Sequence, residues 1–341
     1  MLQESITYPP SDGYPFYILA KRYWLPAFEA NASDPEALTL ILLHSTSFHK
    51  EAWEPSLEDL FQLASRQKTV KIREAWTLDC PNHGDAAQLN DEVFKNDVEH
   101  RQNFTCEKYA RAAYRFLSAG PQQGAKVDFT SRNLVGIGHS LGGVAMTVLQ
   151  GIEPRLPFSS IVLVEPMLSP EGRDVLTELR LYLLKGAYER RDVWPDRKAA
   201  KEALLGRSRT VKWDRRVVDL YVKHAIRPHP GSYRTPDEAY NGVTLSCTRE
   251  EEAGMYLDVE APTKPIPDLD RACERIPVHL ILGGKTELPK SAQKATMAGR
   301  RFASIKHMPE AGHLIPQEAP KDLAHVILDA FKVNAGSRSK L

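Results

Sequence analysis

The chain has 341 residues, of which 42% are hydrophobic and 26% charged, and its net charge is +1. That length accommodates one large α/β domain with an insertion, or two smaller domains, and the composition is ordinary for a globular enzyme. The near-zero net charge excludes a global field directed at nucleic acid or an acidic membrane surface, so a charged ligand must be recognised locally.

The N-terminal MLQESITYPP carries no basic segment followed by an apolar core, which argues against a secretory signal. No apolar run approaches the ~20 residues needed to span a bilayer. Phe16 to Tyr23 is expected in a leading antiparallel hairpin. Leu38 to Leu43 is an unbroken apolar run and reads as a buried strand; Ala75 to Asp79 reads as the next. Apolar residues recur at helical spacing from Tyr109 to Leu117. Asn133 to Gly138 is a strand ending at a glycine, and Leu141 to Leu149 a tightly packed helix. Further strands are expected over Ser160 to Glu165, Val278 to Gly283 and Phe302 to His307, with a closing helix over Lys321 to Val333. Strands alternating with helices predict an α/β fold with a mostly parallel central sheet covered on both faces.

Between Glu165 and Val278 the strand rhythm stops. Helical patterns broken by Pro195, Pro228, Pro230 and Pro262 fill this stretch. The expected division is a core over 1–166 and 277–334, a helical cap over 167–276, and a flexible tail over 335–341. A cap there would cover the carboxyl ends of the strands, where open α/β sheets bind ligands.

Gly138-His139-Ser140-Leu141-Gly142 matches G-x-S-x-G between a strand and a helix. So sharp a turn excludes side chains at its flanking glycines and lifts the serine hydroxyl above the sheet, beside the amides of a helix N-terminus. A serine hydroxyl needs a base. His313, in Ala311-Gly312-His313-Leu314 after the last strand, is placed to return to the top of the sheet. Two glutamates are candidates for the acid that orients the imidazole: Glu165 ends the strand after the elbow, and Glu287 follows the late strand. Glu165 is preferred because it directly terminates an apolar strand; Glu287 is the alternative. An oxyanion hole needs two N–H groups. Leu141 follows the nucleophile, and Thr46 lies in the loop after the early strand.

The four cysteines, Cys80, Cys106, Cys247 and Cys273, show no paired spacing and read as reduced thiols. Asp79 and His83-Gly84-Asp85 match no closed zinc pattern and read as a braced loop. No metal and no cofactor is expected. The terminal Ser339-Lys340-Leu341 has the form of a peroxisomal address read by an import receptor, with Ala335-Gly336-Ser337 as a flexible lead.

With these elements in place the chain resembles the α/β-hydrolase superfamily over nearly its full length, although that family usually has His-Gly where this chain has His44-Ser45. His44 to Lys50, Asp79 to Asp85 and Trp213 to Tyr221 further resemble fungal peroxisomal hydrolases of toxin and polyketide biosynthesis, including the mycophenolic acid acyl-CoA hydrolase type. That resemblance implies ester or thioester cleavage. It also implies an acid on the strand after the elbow, which supports Glu165.

The cap is rich in cations, among them Arg190, Arg207, Arg209, Arg215 and Arg216, interleaved with acids. Solvated faces with local ion pairs are the ordinary reading; contacts to coenzyme A phosphates are the sharper one. Leu179, Leu181, Tyr182, Leu183, Leu184, Tyr188 and Trp194 either anchor the cap or line an acyl pocket, and Trp53 either faces that pocket or belongs to the core. The expected function is therefore a serine esterase or thioesterase acting on a small acyl ester or acyl-CoA. An acyltransferase with the same residues and a non-catalytic ligand-binding protein are the alternatives. The oligomeric state is left open, a homodimer included.

Overall fold

The computed structural model describes residues 1–11, 13–208, 210–233 and 241–338. Arg209 and the terminal Ser339, Lys340 and Leu341 lie outside the described residues.

In chain order the strands are β1 (Leu2–Tyr8), β2 (Ile18–Trp24), β3 (Leu38–Leu43), β4 (Ile72–Leu78), β5 (Asn133–His139), β6 (Phe158–Val164), β7 (Val193–Trp194), β8 (Ile226–Pro228), β9 (Val243–Leu245), β10 (Val278–Gly283) and β11 (Ser304–Met308). Eight of them form one sheet in the order β1-β2-β4-β3-β5-β6-β10-β11. β1 and β2 are an antiparallel hairpin, β2 joins β4 antiparallel, and the rest run parallel. The main helices are α1 (Glu54–Gln67), α2 (Cys106–Leu117), α3 (Leu141–Leu149), α4 (Thr177–Glu189), α5 (Arg197–Leu205), α6 (Arg215–His224), α7 (Arg249–Leu257), α8 (Ile266–Arg275) and α9 (Pro320–Arg338).

Strands buried on both faces read as near-continuous apolar runs, and β3, β5, β6 and β10 are such runs, interrupted only by single polar positions or a serine pair such as Thr39, Ser159-Ser160 and His279. One sheet face packs on α1 and α9 through Leu57, Phe61, Leu323 and Ile327. The other packs on α2, α3 and α8 through Tyr109, Phe116, Met146 and Leu269. α8 falls within the stretch expected as cap, yet Leu269 and Ala272 bury against the sheet-flanking core.

Three elements depart from the sequence reading. β4 begins at Ile72, not Ala75, because its charged residues are paired: Arg22 Nε donates to Glu74 Oε2 at 2.6 Å, and Arg73 Nε donates to the Ala32 carbonyl at 3.1 Å. The stretch expected as a helical cap is not wholly helical. β7, β9 and β8 form a small antiparallel sheet, with strands of two or three residues, too short for a periodic signal. α9 continues to Arg338, so residues 335–338, expected within a flexible tail over 335–341, extend the closing helix; Gly336 lowers helix propensity without ending the helix. Within the cap, Trp194, Leu204, Val217 and Tyr221 make a separate apolar cluster, keyed onto the core by Phe48 from the loop after β3. Among the described residues no helix is long and apolar enough to cross a membrane.

Candidate active site

β5 passes into α3 through Ser140, at φ 55° and ψ −121°. A residue with a Cβ rarely adopts such a conformation. Here it is held by the Ser140 N–H donating to the Val164 carbonyl at 2.9 Å, and by the Ser140 carbonyl accepting from Gly143 at 2.9 Å and Val144 at 3.1 Å. A Cβ at Gly138 would overlap the backbone of Gly142 and Gly143, and one at Gly142 would overlap the carbonyls of Leu43 and His44. The second glycine therefore lets the elbow press against the loop after β3.

His313 Nε2 lies 2.8 Å from Ser140 Oγ, and His313 Nδ1 lies 3.0 Å from Glu165 Oε2. Glu165 leaves β6 at φ 47° with its N–H bound to the Ile281 carbonyl at 2.8 Å, and its carboxylate is fully buried. Oε1 accepts from the Gly283 N–H at 2.6 Å, and Oε2 accepts from the Thr286 hydroxyl as well as from the imidazole. With Nδ1–H donated to the carboxylate, Nε2 is left as an acceptor for the serine proton. The structure thus brings Ser140, His313 and Glu165 together in one hydrogen-bonded line. Glu287 lies in the cavity wall, and the Nδ1 side of the imidazole is taken by Glu165.

Two further histidines, neither of them singled out for such a role by the sequence, brace the surroundings: His139 the line itself and His44 the loop after β3. His139 donates from Nε2 to the His313 carbonyl at 2.9 Å, and the two rings lie 5.4 Å apart. Burial, with a contribution from His313, pushes the His139 imidazole down to about 3, so it is neutral. His44 donates from Nδ1 to the Ser45 carbonyl at 2.8 Å and accepts from the Cys80 N–H at 3.0 Å. Burial pushes His44 down to about 3 as well.

Leu141 opens α3, where first-turn N–H groups have no intrahelical acceptor. Ser45, Thr46 and Ser140 border a common cavity of ≈ 210 Å³. Its walls are mostly apolar, with Met167, Leu179, Leu183, Trp213 and Leu288 among them. Of the aromatic and aliphatic residues that the sequence offered as cap anchors or pocket lining, Leu179 and Leu183 face this cavity. Leu181, Tyr182 and Tyr188 are exposed, and Leu184 packs on the core. Trp194 and Trp53 are buried in the cap cluster and the sheet core respectively.

The cap cations divide in the same way. Arg190 and Arg207 border the cavity. Arg190 is paired with Glu252, and Arg216 is paired with Asp214 and Asp59, each at 2.9 Å. Arg207 has no ion-pair partner among the described residues.

The Asp79 loop is braced by a buried ammonium. Lys50 Nζ lies 2.9 Å from Asp79, 3.0 Å from Glu51 and 3.1 Å from Asp85, while a Cβ at Gly84 would overlap the Asp79 carboxylate. Glu51, Asp85 and His224 have ligand atoms within 4.8 Å of one another, but the Lys50 ammonium already supplies the countercharge to the two acids.

A model of the alpha/beta hydrolase family matches residues 40–326. A type I acyl-CoA thioesterase, mpaH' of Penicillium brevicompactum, is 30% identical over a 288-residue alignment that covers 76% of this chain and 61% of that protein. The mpaH thioesterase of Penicillium roqueforti is 29% identical over 57% of this chain and 41% of its own length. The chain thus spans less than two thirds of either relative. Among solved structures, the peroxisomal alpha-beta-hydrolase Lpx1 of Saccharomyces cerevisiae superposes with a TM-score of 0.71 at 18% identity, covering 98% of this chain and 90% of that one. At that identity the likeness is one of fold.

Proposed function

The chain belongs to the alpha/beta hydrolase family, and from that premise we propose that it is a serine hydrolase that cleaves an ester or thioester through an acyl-enzyme. The observation that carries the reading is the hydrogen-bonded line from Ser140 through His313 to Glu165. His313 Nε2 takes the Ser140 proton as Oγ attacks the acyl carbonyl. The N–H groups of Leu141 and Thr46 receive the oxyanion, and Glu165 stabilises the imidazolium without itself taking a proton. Collapse expels the thiol or alcohol, which His313 protonates. Water, deprotonated by the same nitrogen, then attacks the acyl-enzyme and releases the acid with Ser140 regenerated.

An acyl-CoA is the substrate class we favour, in line with the acyl-CoA thioesterases among the relatives. The apolar walls suit the acyl chain, and Arg207 at the cavity edge suits an anionic group. The test is a screen of acyl-CoA chain lengths and aryl thioesters with free thiol detected, run on the wild type and on Ser140→Ala. We expect turnover on at least one thioester and its loss in the variant; equal turnover by both would refute the assignment. Import into peroxisomes through Ser339-Lys340-Leu341 belongs to the same proposal. Deleting those residues from a chain ending at Leu341 should abolish binding to the import receptor.

A further inference from the structure

The peptide that carries the Thr46 N–H is held from both sides. On one side the carbonyl of that same peptide, from Ser45, accepts from His44 Nδ1 at 2.8 Å. On the other side stands Ser47, at φ 71°, a strained backbone conformation that persists only where neighbours enforce it. Two contacts enforce it. The Ser47 N–H donates to His83 Nε2 at 2.9 Å, and the Ser47 hydroxyl donates to Glu252 Oε1 at 2.5 Å.

Glu252 lies on cap helix α7, and its other oxygen takes the Arg190 guanidinium. Arg190 follows α4, and its Nη2 donates to the Tyr221 hydroxyl on α6 at 2.8 Å. Three cap elements therefore converge, through Glu252, on one hydroxyl of the loop beside Ser140. All four residues border the cavity that holds Ser140. A buried ion pair carries a desolvation penalty that apolar side chains of similar volume avoid. Its position here gives it a specific consequence: breaking it frees the carboxylate that holds the loop.

We propose that Ser47 and Glu252 are positioning residues for the hydrolysis. Clamped by Glu252, which Arg190 orients, the Ser47 hydroxyl fixes the backbone that presents the Thr46 N–H, so the oxyanion hole is complete only when the cap is seated. This rests on the serine-hydrolase reading above.

The test compares wild type, Ser47→Ala, Glu252→Gln and Ser140→Ala on the best thioester from the screen. It adds inhibition by an acyl trifluoromethyl ketone, which forms an oxyanion on the serine, and by the unreactive secondary alcohol of the same chain. In Ser47→Ala we expect kcat to fall about tenfold, as for a donor displaced by a fraction of an ångström. The ketone should weaken by the same factor, with KM and alcohol binding held. Glu252→Gln keeps an acceptor for Ser47 but loses the charge that orients it on Arg190. It should show the same split to a smaller degree, and it stands in if Ser47→Ala does not fold. An unchanged kcat, or a loss shared equally by KM, ketone and alcohol, overturns the proposal. If Ser140→Ala is inactive while Ser47→Ala and Glu252→Gln match wild type, the positioning role alone fails. If Ser140→Ala keeps full activity, the serine-hydrolase reading fails with it.

Discussion

Glu165 receives three donors, the Gly283 N–H, the Thr286 hydroxyl and His313 Nδ1–H, at a site with no exposure to solvent. A carboxylate so held presents one orientation to the imidazole. Glu165→Gln replaces an acceptor with an amide that can stabilise the wrong tautomer, and kcat is expected to fall by about 10⁴, the scale found when a triad acid becomes an amide. Glu287→Gln should lose far less, because Glu287 lies in the cavity wall. Steady-state kinetics on both variants decides the matter, and the reverse ranking would assign the acid to Glu287. The pairing of Ser140 with His313 is legible in the sequence because the elbow is a local pattern and His313 follows the last strand. The choice between acids is less so, since the donors that fix Glu165 come from β10 and the turn after it, more than a hundred residues away. His139 and Ser47 leave no signature at all: one fills the free position of the elbow motif, and the other is a loop serine whose partner lies in the cap.

At the scale of elements, the close approach of α3 to the loop after β3 decides what the elbow tolerates. Gly142→Ala would drive a methyl into the carbonyls of Leu43 and His44, neither of which is a flexible side-chain end. Overpacking against backbone should cost about 3 kcal/mol or prevent folding. Gly186 is the contrast: it lies in α4, and nothing stands within 4 Å of its Cβ position. Gly186→Ala should stabilise by up to about 1 kcal/mol through helix propensity. Urea unfolding of the two variants measures both, and similar stabilities would show that the elbow has room to adjust. The central strands are legible because burial on both faces leaves continuous apolar runs. The cap sheet is not, because β7 has two residues and β8 and β9 three each. The start of β4 is hidden for a different reason: Arg73 and Glu74 look like loop residues until their partners, Ala32 and Arg22, are brought in by the fold.

For the molecule as a whole, the buried neutral histidines link stability to pH. His139 titrates near 6.5 when unfolded and about 3 when folded. Between those values the unfolded chain holds a proton that the native chain does not, so stability falls as pH drops through that window. Glu251 acts in the opposite sense, since burial pushes it up to about 7 and the native chain holds the extra proton. The difference between wild type and a single variant isolates one group. His139→Gln, measured by urea unfolding from pH 4 to pH 6, should have a shallower slope by up to about 1.4 kcal/mol per pH unit; parallel curves would mean that His139 is charged in the native state.

The hydrolytic reading, the positioning role of Ser47 and the choice of acid all require that Ser140 carries the acyl group between two half-reactions. The direct measurement is rapid-quench turnover of the best thioester, with peptide mass mapping of the quenched protein. The expected result is a burst of free thiol approaching one per chain, with the acyl mass on the peptide containing Ser140 and neither signal in Ser140→Ala. Thiol release without any adduct at Ser140, undiminished in Ser140→Ala, would contradict it.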